Sequence, residues 1–144
     1  MSFGFFGAAA ALGISAIGSA LGLAIAGQAT IGAWKRCYMN NKPAPFILVA
    51  FAGAPLTQTI YGFLLMNKML ESSQSDWFLL GLGVVCGLSI AASAIAQGKA
   101  AAAGSDSLAE TGKGFAQYIT IVGLCETVAL FVMVFGMMKI KGSL

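Results

Sequence analysis

Histidine is absent from this chain, and charge is nearly so: 8 Lys and Arg and 5 Asp and Glu serve 144 residues. Without an imidazole there is no haem ligation, no histidine base and little prospect of a zinc site. The three cysteines, Cys37, Cys86 and Cys125, are an odd number without metal-ligand spacing and read as small apolar packing residues. A net charge of +3, thinly spread, points to no nucleic-acid partner. There is no nucleophile–base pair, and the glycines are strewn along apolar runs instead of forming a phosphate loop. So little charge also excludes the surface of an ordinary soluble domain.

What fills the chain instead is apolar: 58% of residues are hydrophobic and the mean hydropathy is +0.87. Residues 1–34, 43–67 and 77–98 carry no charge, and 114–138 carry only Glu126. Each run meets the roughly 20 residues that a helix needs to cross a bilayer. The expected fold is an all-α membrane protein with four transmembrane helices, at about 4–33, 45–70, 76–105 and 112–140. They pair into two tandem hairpins, 1–72 and 73–144. A cleaved signal peptide is the rival reading of the N-terminus, but Met1–Gly32 lacks a basic leader and is too long. The face holding Lys35, Arg36, Lys42, Lys99 and Lys113 has five cations against Lys68, Lys139 and Lys141 on the other. That bias places loops 33–44 and 104–112 in the cytoplasm and both termini outside.

The halves resemble each other. "GISAIGSALG" from Gly13 lies over "GLSIAASAIA" from Gly87, matching Ser15 to Ser89 and Ser19 to Ser93. "PLTQTIYGF" (55–63) lies over "GLCETVALF" (123–131), so Gln58 stands opposite Glu126. With an even number of helices per unit the repeats are parallel, unlike the inverted repeats of many transporters. Small residues stripe the first helix of each hairpin: Gly18, Gly22 and Ala26, then Ser89, Ser93, Gln97 and Ala101. Such stripes let backbones approach closely in lipid. The second helices are bulkier, with Phe46, Phe51, Phe63, Phe115, Phe131 and Phe135, as an outer lipid-facing layer requires.

A lone glutamate at mid-span is costly in lipid and needs partners. Glu126 lies 13 residues from both Lys113 and Lys139. Thr57, Gln58, Thr59 and Tyr61 are central in the second helix, and Thr57, Gln58 and Tyr61 can share a face. Pro55 just before them lacks an N–H and frees nearby carbonyls. Gln97 falls one or two turns toward the cytoplasmic end, so it joins them only if the third helix runs on into "KAAAAGSDS". One carboxylate, a hydroxyl and two amide oxygens suit a monovalent cation such as Na⁺. A proton is the other possible cargo, since burial favours a neutral carboxyl. A bundle merely tied together by interhelical hydrogen bonds is the third reading.

"PLTQTIYGF", "AIAQGKAAAAG" and "LCETVALF" together resemble the proteolipid (c or K) subunits of V-type (V/A-type) rotary ATPases. The likeness is greatest to the bacterial Na⁺-transporting members and extends over the whole chain. It implies Na⁺ held by Glu126, Thr57, Gln58, Gln97 and the backbone carbonyl of Ala54, with Tyr61 hydrogen-bonded to the acid and locking the site. The residues around the proline, "GAPLT", depart from the relatives' pattern. The resemblance further implies a ring of identical copies in lipid, turning against a stator subunit that bears an arginine. Central-stalk subunits would meet the cytoplasmic loops, no cofactor is needed, and ATP chemistry would lie on other subunits. A small four-helix antiporter and a non-transporting proteolipid are the rival functions.

Overall fold

The computed structural model describes residues 2–140. Four helices run through it: α1 (Phe3–Met39), α2 (Phe46–Leu70), α3 (Asp76–Thr111) and α4 (Phe115–Met138). All four are long and apolar enough to cross a membrane, and the described residues contain no strand. The chain is an integral membrane protein of two helical hairpins.

The inner helices are longer than their apolar runs. At 37 residues, α1 is about 55 Å long, against a hydrocarbon core of ~30 Å. It continues through "WKRCYM" because nothing stops it before Asn40 and Asn41, where Asn41 takes a positive φ of 51°. Likewise α3 passes Gly104 and Ser105 on good helix formers and ends at Gly112, whose φ is +66° and whose N–H caps the Leu108 carbonyl at 2.8 Å. The helix ends expected at 33 and 105 are therefore corrected to 39 and 111. The connections shrink from 33–44 and 104–112 to 40–45 and 112–114. Arg36 on α1 pairs there with Asp106 on α3. Lys141, counted with the opposite face, lies outside the described residues.

α1 and α3 pack side by side, and the small stripes allow it. Gly22 and Gly98 meet backbone to backbone: a Cβ on Gly98 would stand 2.6 Å from the Gly22 Cα. Gly7 and Gly83 make the same approach about four turns toward the N-termini of α1 and α3. With no hydrophobic drive between helices in lipid, this close van der Waals contact holds them together. A buried hydroxyl pair, Thr30 and Ser105 at 2.9 Å, adds a polar clasp.

α2 lies against α1 and α4 against α3, forming the outer layer. Phe46, Phe63, Phe131 and Phe135 are exposed on it. Phe51 is not: it is fully buried, edge-on to Phe115 at 5.6 Å and seated over Gly104. The aromatic therefore fills the space that glycine leaves on α3. α2 is also broken into pieces, with 3₁₀ turns at Phe46–Leu48 and Ala54–Leu56. Pro55 cannot donate to the Phe51 carbonyl, so the Ala54 N–H takes that carbonyl in the tighter pattern.

Candidate functional site

The break in α2 sets up the site. Directly after the 3₁₀ turn, Thr57 and Gln58 begin the regular helix, with Tyr61 one turn further on. The Thr57 hydroxyl donates to the Ala54 carbonyl at 3.1 Å and lies 3.4 Å from Gln58 Oε1. Gln58, fully buried, donates through Nε2 to Gln97 Oε1 at 2.7 Å. Gln97 is buried too, and its own Nε2 donates to the Val122 carbonyl at 3.0 Å and to Glu126 Oε2 at 3.3 Å. Tyr61 donates its hydroxyl to Glu126 Oε1 at 2.7 Å.

Three helices thus bring Ala54, Thr57, Gln58, Tyr61, Gln97 and Glu126 into one continuous hydrogen-bonded chain. The depth offset expected for Gln97 is absent. α3 runs well beyond it to Thr111, so Gln97 stands at the height of Glu126. Thr127 and Ser89 stay outside the chain. Each bonds back to its own helix, Thr127 to Leu124 at 2.7 Å and Ser89 to Val85 at 2.9 Å.

Two members were not foreseen in the sequence. Ser93, one turn before Gln97, donates to the Cys125 carbonyl at 2.6 Å and fastens α3 to α4 beside the acid. Its i, i+4 spacing to Gln97 and its match to Ser19 were the available signals. The Val122 carbonyl, which orients the Gln97 amide, had none, because any residue supplies a carbonyl.

Glu126 is half-buried at the seam between α2 and α4, and the surface around it is apolar: Ile60, Phe63, Val128 and Leu130 are exposed on the same helices. Both ion pairs among the described residues, Arg36–Asp106 and Lys68–Glu71, lie elsewhere. The carboxylate therefore has two neutral donors and no basic partner. A charge in an apolar setting must be paired or neutralised. Through Gln97 the carboxylate is joined to a chain that holds the neutral oxygens of Gln97, Gln58, Thr57 and Ala54. A carboxylate with several uncharged oxygens can replace the water shell of one monovalent cation, whereas a divalent cation calls for more carboxylates. Among the described residues no group of three or more Cys, Asp or Glu could hold a metal of that kind.

Comparison with known proteins places these residues in a family context. Residues 80–139 match the family model that describes the C subunits of ATP synthases. Over 142 residues, 96% of this chain, the sequence is 32% identical to a protein of Methanocaldococcus jannaschii described as A-type ATP synthase subunit K. The chain spans 62% of that relative's length. The family match covers α4 and most of α3, and so includes Gln97 and Glu126.

Proposed function

We propose that this chain is a c/K proteolipid subunit of a V/A-type rotary ATPase, that identical copies form a membrane rotor ring and that each carries one Na⁺ on Glu126. The observation that carries this reading is the carboxylate without a basic partner, linked through Gln97 to a hydrogen-bonded chain that holds the oxygens of Gln97, Gln58, Thr57 and Ala54. Loaded with a cation, the site is neutral overall and can pass through lipid. Unloaded, it carries a charge whose exposure to lipid costs several kcal/mol, roughly. That difference couples rotation to occupancy. The unloaded carboxylate can turn only past a positive charge or water, which a stator subunit with an arginine and two half-channels would supply.

Tyr61 closes the seam side of the site. Its 2.7 Å bond fixes Glu126 in place while the seam faces lipid, and releasing it opens the route for the ion. Connections 40–45 and 112–114, at the end where α1 and α3 project beyond the bilayer, are the surface offered to central-stalk subunits. The cation bias puts this end in the cytoplasm and the N-terminus outside. ATP hydrolysis or synthesis belongs to other subunits. Gln58 stands where a second acid would be, so one ion crosses per four helices. Fewer ions per turn let a fixed hydrolysis energy drive each against a steeper gradient.

Na⁺ is favoured over the proton by the cost of the other ligands. A proton on Glu126 needs one acceptor, and the oxygens of Thr57, Gln58 and Gln97 would then only tie the helices together. ²²Na⁺ binding to the purified oligomer across pH tests the reading. One Na⁺ per protomer is expected, displaced as pH falls and lost in Glu126→Gln. No saturable Na⁺ binding at neutral pH would replace Na⁺ by the proton as cargo.

A further inference from the structure

Ser19 occupies in the first hairpin the position that Ser93 occupies in the second, yet the two hydroxyls behave differently. Ser93 donates to the Cys125 carbonyl on the outer helix at 2.6 Å. Ser19 is 2% exposed, and its Oγ is the one buried side-chain nitrogen or oxygen that finds no hydrogen-bond partner among the described residues. A buried hydroxyl without a partner is rare and costly, and alanine would fill the same space without that cost.

Its height on α1 shows what stands opposite. α1 and α2 run antiparallel, with Gly22 against Pro55 and Ser15 against Gly62. Both helices advance seven residues between those two contacts, so the register brings Ser19 level with Gln58. Gln58 is fully buried, and its Nε2, which carries two hydrogens, makes a single bond, to Gln97 Oε1 at 2.7 Å. For the oxygens of Gln58 and Gln97 to face one cation together, that N–H must leave the space between them, because it brings positive charge toward the ion. At a fully buried position bulk water does not reach it. The free Ser19 hydroxyl, level with it, can receive it.

We infer that Ser19 is a positioning residue for the cation site: its hydroxyl accepts the Gln58 amide when the two glutamine oxygens turn toward the ion. Ser19 touches no ion itself and acts through Gln58. The inference rests on the Na⁺-carrier reading above. It also gives the first hairpin's serine a role in selectivity, since a proton on Glu126 asks nothing of either amide oxygen.

The test compares Ser19→Ala with the unmodified ring in two measurements. One is the protection of Glu126 by Na⁺ against carbodiimide, with K⁺ as control; the other is the pH profile of labelling without Na⁺. The half-protecting Na⁺ concentration is expected to rise about tenfold, the worth of one buried hydrogen bond, while the pH profile stays in place. An unchanged Na⁺ concentration, or a parallel shift of the pH profile, overturns the role of Ser19. If the unmodified ring shows no Na⁺ protection, the Na⁺ reading fails instead, and this inference with it. Should the variant not assemble, a structure of the unmodified ring with Na⁺ bound decides. Gln58 Nε2 within hydrogen-bond reach of Ser19 Oγ supports the role, and Nε2 still on Gln97 Oε1 overturns it.

Discussion

Replacing Gln97 by leucine removes three hydrogen bonds in a single change: those to Val122 at 3.0 Å and Glu126 at 3.3 Å, and the one received from Gln58 at 2.7 Å. Leucine is close in volume, so packing between α2, α3 and α4 is kept. The Gln58 amide, fully buried, is left without its acceptor, at a cost of about 1–3 kcal/mol to the fold. For the ion, one of the neutral ligands disappears. Bonds to a charged group are worth roughly 1.5–3 kcal/mol each, which converts to about ten- to hundredfold weaker Na⁺ binding. Glu126 remains, still held by Tyr61, so carbodiimide still modifies it. The assay is ²²Na⁺ binding to Gln97→Leu oligomers of unchanged mass. Na⁺ affinity within twofold of the unmodified protein would refute a ligand role for Gln97.

Three further outcomes are expected. Glu126→Gln should abolish carbodiimide labelling and transport while the oligomer assembles, because Glu71, Asp76, Asp106 and Glu110 lie outside the apolar spans; residual labelling in this variant would show that another carboxyl reacts. Tyr61→Phe, which deletes the 2.7 Å bond to Glu126, should speed ²²Na⁺ exchange and weaken binding by about 0.5–1.5 kcal/mol, read from exchange kinetics. Gly98→Ala should cost about 1–3 kcal/mol or more of stability, since its Cβ would stand 2.6 Å from the Gly22 Cα, and thermal unfolding of the detergent-solubilised protein measures this.

The lone acid made much of the site legible in advance. Glu126 is the only charge between Lys113 and Lys139, so its need for partners was plain, and the internal repeat marked Gln58 as its counterpart in the first hairpin. Helical spacing then grouped Thr57 and Tyr61 with Gln58. The height of Gln97 was harder to read, because charge spacing locates the membrane surface and not the helix end. α3 continues as helix far beyond Lys99, so counting from Lys99 put Gln97 too near the water. Phe51 was misread for a related reason. Side-chain size suggests a lipid-facing layer, but the cavity over Gly104 that receives the ring exists only once α2 and α3 have packed. The Val122 carbonyl left no trace in the sequence because the backbone is the same at every residue.

The most direct measurement of the central claim is the rate at which carbodiimide labels Glu126 in the unmodified oligomer at neutral pH, with millimolar Na⁺ or with K⁺ at equal ionic strength. A carboxylate that shares its oxygens with bound Na⁺ is withheld from protonation and thus from the reagent, so Na⁺ should slow labelling and K⁺ should not. Equal rates in the two salts would contradict a selective Na⁺ site at Glu126 and leave the proton as the cargo.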